Sequence, residues 1–533
     1  MTRRASDVGR GLAPARAPRP IVPGERIHVI GIAGAGASAA ALLARARGAL
    51  VDGCDAGGPS PYTPALDAAG ITFATGHDAA HVTRGSAPAR LAVSKALTAV
   101  APDHPELQAA RERGIPLEPW QQVVADAAAG AELVAVAGTH GKSTTTGWLT
   151  HLLAGAGLDP SAFVGALLPA SLTGGTAATA RIGSDALLVV EADEYAGNFD
   201  PYRPSIAAIT GVEWDHPDVF ADLDAVVAAF DRWLRSPGAE ARRLVLNVGD
   251  PGARALLDLL GDWPGTVLPV EVLGEDGAGH GAWVGPPARE PGLVARILAA
   301  TPVGTRVEIS GLPGAAGPVV ADLTTAGRHN VVDGLVAAGT AAALGVSADA
   351  IRRGLESFAG VGRRLERKGE VAGVVVYDDY GHHPTAIRET LAAVRQREPG
   401  RRLWAVCEPL TFHRTRALLG GFAAVLATAD RVAIADIWAG RDTPEDRASV
   451  SAADLASAVR AVRPESAAEA TGSPEATADR LAALVEAGDA VLVMGGGRSY
   501  RIGERLLERL RERLSEPEPA EGPGARVRRP RKG

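Results

Sequence analysis

The residues best suited to chemistry stand between positions 133 and 146. The apolar run Leu133-Val134-Ala135-Val136-Ala137 reads as a strand, passes into Gly138-Thr139-His140-Gly141-Lys142-Ser143-Thr144-Thr145-Thr146, and is followed by Trp148-Leu149 and Leu152-Leu153 at helical spacing. A strand, a glycine turn and a helix beginning at Lys-Ser aim backbone N–H groups and the positive helix end at an anion. The lysine reaches terminal phosphates and Ser143 is available to Mg²⁺. This is a phosphate loop in a shortened form, because the usual pattern places glycine at 136, where valine stands.

Other reactive groups fall at the ends of predicted strands. Ala186 to Val190 runs into Glu191-Ala192-Asp193-Glu194, carboxylates placed to hold magnesium directly or through water, or else a solvated acidic turn. Ile206 to Thr210 is followed by Glu213-Trp214-Asp215-His216, a histidine among acids that fits a metal site. Val374 to Tyr377 leads into Asp378-Asp379-Tyr380-Gly381-His382-His383-Pro384, a density of titratable groups that packing alone does not explain. Arg363-Arg364 and His413-Arg414-Thr415 add cations able to neutralise a transferring phosphoryl group, or to line a solvated face. Near the start, Gly31-Ile32-Ala33-Gly34-Ala35-Gly36-Ala37-Ser38 follows a strand, with Asp52 and Asp55 about 20 residues on, as in a dinucleotide-binding turn. The middle glycine of that motif falls on Ala33, and on this signal alone hydride transfer stays open. His77-Asp78-Ala79-Ala80-His81 has the histidine spacing of a zinc helix, but aspartate replaces the required glutamate and no third ligand follows in sequence, so it reads as coincidence.

The elements that must position these groups alternate short apolar strands with Ala/Leu-rich helices, the pattern of βαβ units on mainly parallel sheets, so the fold class is α/β. With 533 residues the chain has room for about three domains. They are expected at 25–130, 131–360 and 361–514, with a small β excursion at 264–318 within the second. Residues 1–24, with five arginines and four prolines and no apolar stretch, read as a disordered arm rather than a secretory signal, and 515–533 as a disordered basic tail. No apolar run reaches the 18 residues of a spanning helix, which excludes membrane insertion. The net charge of −7 and pI near 6.0 disfavour a nucleic-acid partner and make any phosphate site local. Cys54 and Cys407 are too few for a disulfide framework, pointing to the cytoplasm. Lysine is scarce: Lys95, Lys142, Lys368 and Lys532 stand against 51 arginines, so a lysine at a functional position is not an accident of composition.

In this order and spacing, Gly31 to Ser38, Gly138 to Thr146, Glu191 to Glu194, Asp215-His216, Gly327-Arg328-His329-Asn330 and Asp378 to Pro384 resemble the Mur ligase family over about residues 25 to 512. The resemblance implies an N-terminal Rossmann-like domain that binds a UDP-sugar rather than NAD, a central P-loop ATPase-like domain and a C-terminal Rossmann-like domain. It implies sugar-nucleotide contacts at Gly34, Ala35, Gly36, Ser38, Asp55 and Ser94, and an ATP site at Gly138, Thr139, His140, Gly141, Lys142, Ser143 and Thr144, with His329 and Asn330 at the adenine. Ser143, Glu191 and His216 would serve Mg²⁺, and Lys142, His216, Tyr380, His382 and Arg414 would carry catalysis. The implied reaction is ATP-dependent ligation of L-alanine to the lactyl carboxylate of UDP-N-acetylmuramate through an acyl phosphate, in peptidoglycan precursor synthesis.

Several positions depart from the family pattern. Cys407-Glu408-Pro409-Leu410-Thr411-Phe412-His413-Arg414-Thr415 keeps the arginine and threonine of Phe-Gln-Pro-His-x-x-x-Arg-Thr but puts leucine at its histidine. Gly211 and Asp333 replace usual asparagines, and no lysine between Lys142 and Lys368 is available for carbamylation. Glu194-Tyr195 and Asp218-Val219-Phe220 are similar to recycling members that attach a ready-made murein tripeptide, the alternative acceptor. Outside ligation, an NAD-dependent dehydrogenase leaves the phosphate loop unexplained, and a regulatory ATPase leaves the first block unexplained. Nothing in the sequence fixes an oligomeric state.

Overall fold

The computed structural model describes residues 8–238, 242–274, 292–440 and 442–515. Three sheets follow one another along the chain. The first is wholly parallel, with β1 (Arg26–Ile30), β2 (Leu50–Asp55), β3 (Phe73–Thr75), β4 (Arg90–Val93) and β5 (Leu117–Pro119) in the order β3-β2-β1-β4-β5. The second contains β6 (Glu132–Ala137), β7 (Ser161–Leu168), β8 (Ala178–Arg181), β9 (Leu187–Ala192), β10 (Ile206–Ile209), β11 (Arg243–Asn247), β12 (Thr266–Val272), β13 (Leu293–Thr301), β14 (Gly304–Ser310) and β15 (Val319–Leu323). Its order is β15-β14-β13-β12-β11-β10-β6-β9-β7-β8. The third has β16 (Glu366–Val371), β17 (Val374–Asp379), β18 (Arg402–Glu408), β19 (Arg431–Ala435), β20 (Glu469–Gly472) and β21 (Asp489–Gly495), ordered β16-β17-β21-β18-β19-β20. Helices cover both faces of the parallel strands, which is why β6, β9, β10 and β11 are continuous apolar runs rather than alternating ones.

The stretch 264–318, read as a β excursion within the second domain, contributes its strands to that domain's own sheet. β12 pairs in parallel with β11, and β13, β14 and β15 continue the same sheet, the last two pairings being antiparallel. β12 is largely buried, whereas β14 turns Val307 and Ile309 inward and Arg306 and Ser310 outward, the alternation of a sheet solvated on one face. The glycines and prolines there mark hairpin and loop positions, not a domain break; residues 275–291 of that stretch lie outside the described residues.

The arm is also corrected. Residues 8–24 lie along the first domain: Gly9 N donates to Thr98 Oγ1 at 2.8 Å, Ala13 N to Leu117 O at 2.7 Å, and Ile21 is buried. Arg16 donates to Glu118 and to Asp126 (2.7 Å), and Arg19 pairs with Glu25. Composition suggested solvated charge, but Arg16 neutralises the distant Glu118 of β5 and Asp126 of the helix after it, and Arg19 the nearby Glu25. The expected basic tail lies outside the described residues beyond Ser515. Among the described residues no helix is long and apolar enough to cross a membrane.

Candidate active site

β6 ends at Ala137 and the turn Gly138–Gly141 delivers the helix Lys142–Gly155. Gly141 sits at φ +79°, and a Cβ there would lie 2.1 Å from Asp333 Oδ1, so this turn requires glycine. Lys142 Nζ donates to Gly138 O at 2.6 Å and to Glu194 Oε2 at 3.0 Å, with Asp193 Oδ1 at 3.6 Å. Burial works against its charge, but the acids beyond β9 outweigh burial and raise its pKa. Burial conversely pushes Glu194 up to about 7 despite Lys142, while Asp193 stays lowered because Lys142 and His216 offset its burial. The neighbouring Ser143 Oγ donates to Glu191 Oε1 at 3.1 Å, and Glu191 Oε2 accepts from Gly165 N at 2.6 Å.

His216 follows β10 in a left-handed conformation (φ 56°), and its donor atoms group with Asp193 and Glu194 within 4.8 Å. Three of the sequence-derived groups therefore divide: Ser143 and Glu191 form one oxygen pair, and His216 stands with the other two acids. Arg414, buried in the third domain, donates from Nε to Asp215 Oδ1 at 2.8 Å and lies 3.1 Å from His216 Nδ1 through Nη2. Burial tends to raise Asp215, but His216 and Arg414 hold it well below the ordinary carboxylate range.

β17 presents Tyr380, His382 and His383. His382 Nδ1 is 2.9 Å from Tyr380 O, which only accepts, so Nδ1 carries the proton and Nε2 the lone pair. Burial and then Arg414 depress its pKa well below normal, keeping the ring neutral. His383 caps the helix Pro384–Arg397 by accepting from Thr385 N, and burial lowers it to about 4. Thr385 Oγ1 donates to Glu213 Oε1 at 2.7 Å while His140 Nε2 stands 3.0 Å from Glu213 Oε2; these partners overcome burial and hold Glu213 at about 2. Arg364 reaches back from the third domain to donate to Ser143 Oγ at 2.8 Å, its guanidinium 4.6 Å from the Tyr380 ring centre.

Most of these groups, Glu194 and His383 excepted, line one cleft of about 670 Å³ between the three domains. Thr139, His140, Gly141, Lys142, Ser143, Thr144, Glu191, His216, His329, Asn330, Tyr380, His382 and Arg414 all face it. Gly138 stands behind the lining, as the carbonyl that holds Lys142. From the first domain only Gly36 and the Trp120-Gln121 pair do so, and a Cβ at Gly36 would strike Trp120 at 2.3 Å. Gly34, Ala35, Asp55 and Ser94 are outside that lining; the Asp55 carboxylate instead holds the turn, accepting from Ala33 N and Gly57 N. Ser38 is buried, bonded to Ala35 O and Thr179 Oγ1, and ties the first domain to β8. Sequence reasoning passed over Lys95, whose Nζ donates at 2.8 Å to the carbonyls of Ala196 and Gly197 just beyond Glu194. The rarity of lysine was the available signal. Leu410, at the family's histidine position, lines the cleft, while the adjacent His413 turns to Asp442 and Asp218.

Three successive, mainly parallel sheets around a P-loop cleft define a class. Family models match as the Mur ligase family catalytic domain over residues 26–132, the Mur ligase middle domain over 136–341 and the Mur ligase glutamate ligase domain over 363–497, and the chain belongs to the Mur ligase family. It is similar to the UDP-N-acetylmuramate–L-alanine ligase of Kineococcus radiotolerans, 38% identical over 502 residues covering 92% of this chain and 97% of that one. The enzyme of the same name from Frankia casuarinae is 38% identical over 511 residues, covering 91% and 98%. Among solved structures, a murein peptide ligase from Psychrobacter arcticus superposes with a TM-score of 0.67 at 25% identity, covering 91% of this chain and 99% of that one. The UDP-N-acetylmuramate-alanine ligase of Thermotoga maritima superposes at 0.70 with 22% identity, covering 92% and 99%, and shares the fold. Matches spanning all three domains set aside the dehydrogenase and regulatory ATPase readings, each of which used only one.

Proposed function

We infer that this chain joins L-alanine to the lactyl carboxylate of UDP-N-acetylmuramate with conversion of ATP to ADP and phosphate. The observation that carries this is the convergence of Lys142, Arg414 and the Gly36 turn, one from each domain, on a single cleft. The choice of substrates rests on the relatives named UDP-N-acetylmuramate–L-alanine ligase, aligned over more than nine-tenths of the chain.

A carboxylate does not condense with an amine in water, so the carboxylate must first be activated. Its oxygen attacks the γ-phosphorus of ATP, ADP leaves and an acyl phosphate forms. The alanine amine then attacks the acyl carbon, loses a proton, and phosphate departs. The protein's part is positioning and charge stabilisation. Lys142 exchanges Gly138 O and Glu194 for the terminal phosphates, and Arg364 and Arg414 supply further positive charge from the closing third domain. Neutral His382, with Nε2 unprotonated, can accept a hydrogen bond from the amine and orient it. Ser143 and Glu191 suit a hard divalent cation, their oxygens 3.1 Å apart against the roughly 3 Å edge of a magnesium octahedron. Magnesium held there would neutralise charge between the β- and γ-phosphates. His216, a nitrogen donor among Asp193 and Glu194, is a poorer magnesium ligand and serves instead to orient Arg414. The nucleotide substrates, together with the buried free Cys54 and Cys407, support a cytoplasmic reaction.

The test is ADP release measured with UDP-N-acetylmuramate and, separately, L-alanine, glycine, L-serine and the murein tripeptide. ADP release is expected only with both sugar nucleotide and amino acid. Turnover of ATP alone, indifferent to the sugar, overturns the reading, and a tripeptide that outcompetes L-alanine at equal concentration makes the chain a recycling ligase.

A further inference from the structure

Within the first domain the fold assembles donors that the ligation chemistry does not use. His28 comes from β1, Cys54 from β2, His81 from the short helix Ala80–Thr83, and Glu106 from the helix Pro105–Glu112. One ligand atom from each lies within 4.8 Å of the others. Cys54 Sγ is 3.0 Å from Glu106 Oε2, His81 Nδ1 is 2.7 Å from Glu106 Oε1, and His28 Nε2 is 3.7 Å from Glu106 Oε2. A tetrahedral zinc with bonds of about 2.0–2.3 Å sets its ligands about 3.3–3.8 Å apart, so metal entry needs the shorter contacts to open by about half an ångström.

We propose that His28, Cys54, His81 and Glu106 bind one zinc ion in the first domain. Two observations independent of the clustering support this. His28 is 2% exposed and its Nε2 has no hydrogen-bond partner, although it points into the group. Its other nitrogen, Nδ1, lies 2.6 Å from Asp52 Oδ1. That is the carboxylate–histidine arrangement which, around metals, fixes the tautomer and aims the remaining lone pair at the ion. His77 provides the same kind of outer support to sulfur, with Nδ1 3.2 Å from Cys54 Sγ and its ring against His104. The mixed nitrogen, sulfur and oxygen donors favour zinc over magnesium or calcium, which take oxygen. On binding, the Cys54 S–H bond is replaced by a sulfur–zinc bond and the proton leaves to solvent through the side of His81, the half-buried ligand. Of the two histidines at helical spacing, His81 is thus a ligand and His77 a support, and the other three ligands come from β1, β2 and a later helix rather than from one helix face. The ion would pin together the carboxyl ends of β1 and β2, where Cys54 O accepts from Gly31 N and Ile32 N at the root of the glycine turn.

The experiment uses the full chain without an added histidine tag, stripped with chelator, reloaded with zinc and desalted. We expect one zinc per chain by elemental analysis, a raised melting temperature with zinc, and, on cobalt(II) substitution, an intense thiolate-to-metal charge-transfer band. Cys54→Ser is expected to abolish that band. Asp52→Asn and His81→Ala, at less buried positions, are expected to weaken zinc binding about 10- to 100-fold. Native protein that retains less than a tenth of an equivalent of zinc, or that gives no charge-transfer band with cobalt, overturns the proposal. So does a folded Cys54→Ser protein that binds as tightly as native; if that variant does not fold, unchanged affinity in both Asp52→Asn and His81→Ala overturns it.

Discussion

Replacing Lys142 with alanine tests both the chemistry and the electrostatics of the phosphate loop. The loss of one preorganised cation from a site where charge develops lowers kcat by about 10²–10³, or about 2.7–4 kcal/mol of transition-state stabilisation. The stability effect follows from Glu194, whose folded-state pKa of about 7 lies above its ordinary 4.5. A raised carboxyl pKa means that the folded state binds the proton more tightly, so this group's contribution falls as pH rises from about 4.5 to about 7, by about 3 kcal/mol in all. Without Lys142 the value climbs further. At pH 6 Glu194 carries its proton in both proteins and adds no difference. At pH 8 the native carboxyl has already ionised against Lys142, while the variant's is penalised for ionising without its partner, by roughly 1 kcal/mol for each unit its pKa climbs. The variant's melting deficit should therefore widen by a few °C between pH 6 and pH 8. The assays are coupled ADP release and thermal melting at both pH values. A kcat within tenfold of native refutes the placement of Lys142 at the phosphates, and an equal melting deficit at the two pH values refutes its coupling to Glu194.

Among acceptors, L-alanine should have the highest kcat/KM, with glycine and L-serine about 10- to 200-fold lower, because a pocket discriminates one small group by only about 1–3 kcal/mol; parity of glycine with alanine in the ADP assay contradicts a methyl-sized pocket. Arg414→Ala should destabilise the fold by about 3–5 kcal/mol in denaturant titration, because it strands the buried Asp215 carboxylate 2.8 Å from the lost Nε. A loss below about 1 kcal/mol would show that Asp215 is served by His216 alone. Glu213, held at about 2, contributes stability above its ordinary 4.5 and loses it as pH falls toward 2. The stability gap between native and Glu213→Gln should therefore be constant above pH 5 and close in acid, and a gap that widens as pH falls would refute its pairing with His140 and Thr385.

The phosphate loop was legible because strand, turn, lysine and helix are contiguous, and the Asp378–Pro384 cluster because five titratable side chains within six positions resist a packing explanation. What escaped the sequence depends on partners far away along the chain. Arg364, which the sequence left between a phosphate-neutralising cation and a solvated face, meets Ser143 across 221 residues, and Ser38 is consumed by Thr179 across 141, so partners far along the chain decide which of the two reaches the cleft. The acids after β9 were recognised as a group, but which of them faces Ser143 and which faces Lys142 is decided by the bend beyond Ala192. The strands of 264–318 were visible as pieces; their membership in the central sheet follows from the register of β12 on β11, which glycine and proline content does not encode.

The residues ahead of β1 change what counts as the smallest autonomous piece of this protein. Arg90 and Arg16 converge on the same two acids, Glu118 and Asp126, the latter wholly shielded from solvent. A fragment trimmed at residue 25, where the pattern of strands and helices first becomes regular, would leave two carboxylates to one guanidinium in the interior and remove the strand-like contact of Ala13 with Leu117. The stretch that looks like a dispensable leader is thus a keel for the first domain, and truncation studies that begin at the first strand would be measuring a damaged molecule.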